Sequence, residues 1–371
     1  MNKTLRDYVQ DAHLNFLVGS GLSVPYFPTL GPVEQLLTEL DARDCNPNER
    51  ALVSCALYKH YFDGVMNGNL ALLNGDSRAD LVRSRYLKFV RLLEKVLMAR
   101  KSPILGKEAN IFTTNIDIFL DLAIEQAAVE CNDGFSGRFN PVFSHSNFRK
   151  THSKRSLQYD VRSEIPTINL VKIHGSLNWH ADAANKILFT HDLKCVSVVA
   201  ACKISAGLLP PVSANCTLDE LLAGCAGKMP DASVTDFMNA YDKLAVVNPT
   251  KAKFKLTLMN ETHYELLRLF SNELEKENAL LLVMGFSFAD EHIRQLAIRT
   301  ANANPTLSIR VFAYNGSAAD SLEKLFPEDK IRNGNIEIVR PPTPTAADPS
   351  PTLDFQTLND KIFRGVLDIR A

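Results

Sequence analysis

The chain has 371 residues, 46% of them hydrophobic, with 41 basic against 42 acidic side chains and a formal net charge of -1. That length buries a large core in one large domain or two unequal ones, and the balanced charge sets up no whole-protein field for nucleic acid or an anionic membrane. No apolar stretch approaches the roughly 20 residues of a bilayer span. The polar Met1-Asn2-Lys3-Thr4-Leu5-Arg6-Asp7 lacks the apolar segment of a secretory leader, so a soluble, cytoplasmic protein is expected.

Taken in chain order, residues 13–18 predict a strand that runs into Gly19-Ser20-Gly21-Leu22-Ser23. Helical stretches follow over Val33–Leu40, residues 48–62 and residues 79–100, where Leu81, Tyr86, Val90, Leu93 and Leu97 recur near helical spacing. This block, about 45–105, predicts a helical lobe beside the sheet. A second strand through Ile111-Phe112 ends in Thr113-Thr114-Asn115-Ile116-Asp117, and a helix is expected over 116–130. Polar residues 132–165 read as an extended loop. A third strand, 168–173, carries Lys172-Ile173-His174-Gly175-Ser176.

Residues 180–257 are hard to read, with short strands and a Pro210-Pro211 break. Helical periodicity returns from Met259 to Glu277. Ala279–Met284 is apolar throughout, as a parallel strand buried on both faces must be, and ends in Gly285-Phe286-Ser287. A helix over Asp290–Thr300, a strand over Ser308–Tyr314 and the run Ile336-Glu337-Ile338-Val339 complete the alternation. Strands alternating with helices predict an α/β, Rossmann-like, mostly parallel sheet covered on both faces. The chain divides into a domain over 1–340 and a proline-rich linker with a final amphipathic helix over 341–371. That helix shows Leu353, Phe355, Leu358, Ile362, Phe363, Val366 and Leu367 on one face. It is too short to stand alone, and the expectation is that it reaches a neighbouring subunit.

Seven cysteines, an odd number at irregular spacing, argue against a disulfide scaffold. Cys195 and Cys202, like Cys216 and Cys225, stand too far apart for the tight two-thiolate knuckle of structural zinc, so no metal is expected. The basic run Arg149–Arg155 has no interleaved aromatics and reads as a solvated loop, with nucleic-acid contact the lesser reading. Trp179 is expected in the core.

Each motif has a plain reading and a chemical one. Glycines at 19 and 21 suit a tight turn, or let backbone N–H groups approach a pyrophosphate at a helix N-terminus. Asn115 suits a helix N-cap, or an amide that holds a water or a ribose at a strand end. His174 suits a satisfied structural histidine, or a general base of the right basicity. Tyr314-Asn315-Gly316 suits a turn or an adenine-side loop.

In this order the motifs resemble the sirtuin family, with its Gly-Ala-Gly-x-Ser loop, Thr-x-Asn-x-Asp loop and His-Gly pair. The resemblance covers residues 13–30, 109–125, 168–179 and 279–340. It implies a sirtuin-type sheet in which Gly19, Ser20, Gly21 and Ser23 hold the phosphates of NAD+. It further implies Asn115, Asp117 and the base His174 as the catalytic set, with Gly285, Ser287 and Asn315 on the adenosine side.

The chain departs from the deacylase pattern. Tyr26-Phe27-Pro28-Thr29-Leu30-Gly31 replaces the Pro-Asp-Phe-Arg signature, and both the paired-cysteine zinc module and the Phe-Gly-Glu peptide segment are missing. Loss of the peptide apparatus favours water as nucleophile. The chain thus resembles the bacterial antiphage-defence branch, whose members deplete NAD+. That resemblance implies a homo-oligomer and a separately encoded HerA-type ATPase partner. An NAD-dependent protein deacylase and a non-catalytic nucleotide-binding subunit stay open.

Overall fold

A computed structural model describes residues 10–29, 31–102, 104–182, 184, 186–248, 258–344 and 350–367. Its centre is a seven-stranded sheet of β1 (His13–Val18), β2 (Glu108–Thr113), β3 (Glu130–Asn132), β4 (Thr167–Lys172), β5 (Ala279–Met284), β6 (Ser308–Phe312) and β7 (Ile336–Val339). The strand order is β7-β6-β5-β1-β2-β4-β3 and every pairing in it is parallel. A parallel α/β sheet is what the alternation of apolar strands with helices predicts. β1 sits between β2 and β5, so the strand order reverses there.

Both faces are covered, which is why β1 and β5 are apolar on both sides. Leu14, Phe16 and Val18, with Leu280, Leu282 and Met284, pack toward the helical lobe. Leu17, Leu281 and Val283 pack toward the other face, with Leu266, Phe270, Leu274, Ile293 and Ala297 from helices Leu258–Leu274 and Glu291–Ala303. One row on that second face is polar. Asn15, Asn110 and Asn169 lie opposite one another in register, and Asn132 lies opposite Asn169. Their amides form a chain across four strands: Asn110 Nδ2 donates to Asn15 Oδ1 at 2.8 Å, Asn169 Nδ2 to Asn110 Oδ1 at 2.8 Å and Asn132 Nδ2 to Asn169 Oδ1 at 2.9 Å. Polar groups this deep are tolerated because each finds a partner.

The lobe draws on two stretches of chain. Helices Val33–Ala42, Pro47–Tyr61, Gly68–Leu73 and Asp80–Ala99 come from the first. The second falls in the stretch hard to read from sequence and supplies Lys194–Ala201, Leu218–Cys225 and Ala232–Tyr241. Tyr58 meets Tyr241 at 4.9 Å between ring centroids, and Phe62 meets Phe237 at 6.3 Å. Caps account for where several of these helices start: Asn46 accepts from Asn48 N ahead of Pro47, and Thr217 with Glu220 forms a reciprocal capping box.

Residues 132–165 are not a plain loop. Phe135–Ser136 and Val142–Phe143 join a five-stranded antiparallel sheet with Gly175–Ala181, Ile187–Phe189 and Leu244–Val246. Trp179 is buried in it, 5.5 Å from Phe135 and 5.1 Å from Phe143 between ring centroids. The basic run enters a small hairpin, Ser153–Arg155 against Arg162–Glu164, where Arg155 pairs with Asp160 at 2.6 Å in solvent.

The C-terminal segment corrects the expectation of an arm to a neighbour. Phe355, Leu358 and Phe363 are buried in the chain's own core, with Phe355 on Tyr86 and Phe363 on Phe16 and Phe89. Arg85 pairs with Asp354 at 3.2 Å, and Lys88 pairs with Asp360. An apolar face that short finds its partner in the helix Asp80–Ala99. The side chains of Val366 and Leu367, residues 345–349 of the linker and the N-terminal Met1–Asp7 lie outside the described residues. No described helix is long and apolar enough to cross a membrane.

Candidate functional site

Open parallel sheets present ligands at strand C-termini where the order reverses. Four segments meet at that edge here. Gly19 N donates to Met284 O at 3.0 Å and Gly21 N to Gly285 O at 2.9 Å, so the turn after β1 lies directly on the turn after β5. A Cβ on Gly19 would stand 2.4 Å from Gly285 O, and one on Gly285 (φ +61°) would stand 2.7 Å from Leu22 N. These glycines are required by the close passage of two backbones. A single 3₁₀ turn, Ser20–Leu22, follows β1 and the next α-helix begins at Val33. That helix starts where the sequence places it, a loop away from the glycine turn.

Asn115 faces this turn from the end of β2. Thr113 Oγ1 donates to Val18 O at 2.9 Å and accepts from Asn115 N at 3.0 Å, which fixes the backbone. Asn115 Nδ2 then reaches Gly19 O at 3.1 Å, Ser23 Oγ at 3.3 Å and Tyr86 Oη at 3.4 Å. Its Oδ1 is buried with no hydrogen-bond partner. Asn115 is not the cap of the next helix, Phe119–Ala127: the side chain that reaches that helix is Asp117, whose Oδ1 accepts from Phe119 N at 3.1 Å.

Asp117 Oδ2 accepts from Ser23 Oγ at 2.7 Å, and Ser23 Oγ lies 3.0 Å from Tyr86 Oη. Burial pushes the Asp117 carboxyl above the usual carboxylate range, against the pull of Ser23 and Lys172. Burial also drives the Tyr86 phenol well above its ordinary value, with the Asp117 charge adding to it. Ser23 is itself only 1% exposed. Its hydroxyl works beneath the turn as a strut between Asp117 and Tyr86, while Ser20 and Gly21 form the exposed surface.

His174 occupies the turn after β4, made possible by Gly175 at φ +76°. Its Nε2 is buried and lies 3.2 Å from Asp290 Oδ2, without the alignment of a full hydrogen bond. His263 packs beside it at 5.6 Å between ring centroids and donates Nδ1–H to Ile173 O at 2.9 Å. Under this turn the buried Lys172 Nζ donates to Asp117 O at 2.8 Å, Ser176 Oγ at 2.7 Å and Asp121 Oδ2 at 2.5 Å. One ammonium thus ties the turn after β2 to the turn after β4.

No protein-family model and no curated protein matches this chain. Gly285 belongs to the assembled edge. Ser287 is exposed, and its Oγ accepts from Ala289 N at 3.4 Å. Asn315 caps the helix Gly316–Leu325 by accepting from Ala318 N at 2.8 Å, and lies at the end of β6, farther along the sheet. Among the described residues no three His, Cys, Asp or Glu side chains converge as a metal site, and Cys225 is buried while Cys195, Cys202 and Cys216 are half-buried.

Three contributors carry no site signal in the sequence. Tyr86 looked like one more apolar position of an amphipathic helix, and nothing local marks its hydroxyl. Lys172 looked like the end of a strand. Asp290 was legible only as a helix start.

Proposed function

We propose that the chain is an NAD+ glycohydrolase, breaking the nicotinamide–ribose bond to give nicotinamide and ADP-ribose. The observation that carries this reading is the buried, unpartnered Oδ1 of Asn115 at the switch point, between the glycine turn and His174. An acceptor left open in a buried site suits a hydroxyl or water held at a strand end. Once the C–N bond breaks, nicotinamide leaves with the bonding pair and a cation with oxocarbenium character remains on the ribose. Water adds to that carbon and gives up a proton, for which His174 is the base. The exposed backbone at Ser20 suits the approach of the pyrophosphate, since the N–H groups of Gly19 and Gly21 are already given to Met284 O and Gly285 O.

The resemblance to defence sirtuins extends this reading to antiphage NAD+ depletion, in a homo-oligomer that works with a HerA-type ATPase. The deciding experiment is the release of nicotinamide from NAD+ by the purified full-length chain, with no acylated peptide, alone and with the ATPase. Release under those conditions supports hydrolysis. Release only on addition of an acyl-lysine peptide makes the chain a deacylase. NAD+ binding without release in either setting makes it a non-catalytic subunit.

A further inference from the structure

Asp290 divides its two oxygens between two tasks. Oδ1 accepts from His292 N at 3.0 Å and Ile293 N at 3.3 Å, capping the helix Glu291–Ala303. Oδ2 turns the other way, to His174 Nε2 at 3.2 Å. The chain around it is shaped for this. Between Gly285 and Asp290 it enters the left-handed region twice, at Gly285 (φ +61°) and at Phe288 (φ +56°). A phenylalanine there is strained, and such strain gathers where a geometry is needed. Phe288 is held in place regardless, fully buried with Phe326 at 4.8 Å and Phe286 at 5.0 Å, its carbonyl taken by Arg294 Nη1 at 2.9 Å.

We propose that Asp290 is the positioning residue of His174, holding the imidazole as the Nε2–H tautomer so that Nδ1 is the basic atom. The inference rests on His174 being the base of the proposed hydrolysis. A carboxylate only accepts, so the ring nitrogen beside it carries the proton, and in neutral imidazole the lone pair then belongs to the other nitrogen. The second neighbouring ring, His263, has its Nδ1 proton committed to Ile173 O.

The division of the two oxygens sets the test. Asn caps a helix as well as Asp, so Asp290→Asn keeps its amide oxygen on His292 N and Ile293 N. The NH2 group then takes the place of Oδ2 and donates to Nε2, forcing the proton onto Nδ1. Asp290→Ser keeps a cap but loses the contact. In the full-length chain Asp290→Asn lowers kcat for NAD+ cleavage by up to about 10⁴-fold, the loss seen when an amide reverses a catalytic histidine. Asp290→Ser loses less than Asp290→Asn, and KM and melting temperature stay near wild type in both. A capping role alone predicts wild-type kcat in Asp290→Asn.

Imidazole ¹⁵N shifts, assigned with His174→Gln, read the tautomer without any turnover: Nε2–H in wild type and Nδ1–H in Asp290→Asn. An unchanged tautomer, or wild-type kcat in Asp290→Asn, overturns the proposal. A switched tautomer in a chain that never cleaves NAD+ upholds the pairing and removes the hydrolase reading.

Discussion

Where β1 meets β5 the rim of the site is made of backbone, with Gly19 and Gly21 donating N–H groups to Met284 and Gly285. Where β2 and β4 end it is made of side chains: Asn115, Ser23, Tyr86 and Asp117 in one cluster, Lys172 beneath, and His174 against Asp290. The first half tolerates no added atom, because two chain segments touch. The second half tolerates isosteric change but depends on which atom donates and which accepts. A backbone-built half therefore couples function to folding stability, while a side-chain-built half lets one change without the other.

The largest separation of the two is expected from His174→Ala and Asn115→Ala, each lowering NAD+ turnover by about 10²–10⁴-fold. Asn115→Ala also removes one of two donors to the Gly19 carbonyl, which keeps Leu22 N at 3.2 Å, a cost of about 0.5–1.5 kcal/mol that leaves a cooperatively melting protein. Turnover retained by a folded His174→Ala variant would remove it as the base. On the backbone side, Gly19→Ala drives a methyl into Gly285 O and costs about 1–3 kcal/mol. The denaturation midpoint and turnover should fall together there; a stable Gly19→Ala variant would show that the turn yields more easily than its contacts imply.

Tyr86→Phe is a finer probe. It keeps the ring stacked on Phe119 at 5.3 Å and against Phe355 at 4.9 Å, and removes only the hydroxyl shared by Ser23 and Asn115. A neutral hydrogen bond is worth about 0.5–1.5 kcal/mol, which converts to a loss of about 2–10-fold in kcat/KM. No loss would mean that Gly19 O and Ser23 Oγ suffice to orient Asn115.

The smallest effect lies outside both halves. Burial lowers the pKa of His13, reinforced by Lys276 and Arg100, and burial lowers that of His145. The unfolded chain then takes up protons first as pH falls through about 6.5, so stability declines from there toward the depressed folded values. Melting temperature should drop modestly between pH 7 and 5.5, equally in wild type and Tyr86→Phe, and His13→Gln should flatten the slope. A steeper slope in Tyr86→Phe would place an acid-sensitive group in the rim.

The parallel sheet was legible because Phe16–Val18, Ile111-Phe112, Leu170-Val171 and Ala279–Met284 are apolar runs, each ended by a small polar turn. Gly19, Asn115, His174 and Gly285 were legible as strand-end residues, since position in a parallel sheet follows from the alternation alone. Residues 194–241 were not, because their helices run only 8 to 10 residues and leave no long period to read. Tyr86 and Asp290 reach their partners across 29 residues to Asn115 and from a separate strand end to His174, and no local spacing encodes a tertiary pairing. The C-terminal helix showed its apolar face but not which surface would cover it.

The asparagine chain across β1, β2, β4 and β3 acts as a gauge. Hydrocarbon side chains in a buried sheet interlock almost as well after a shift of two residues, and a shift of one exchanges faces altogether. Amides do not forgive either slip, because each must meet the next. With Asn15, Asn110 and Asn169 level, the paired ends Val18, Thr113 and Lys172 are level too. The turns that follow therefore emerge at one height. A single step of misalignment would lift one of them by about 3.3 Å, more than the 3.1 Å that now separates the Asn115 amide from the Gly19 carbonyl.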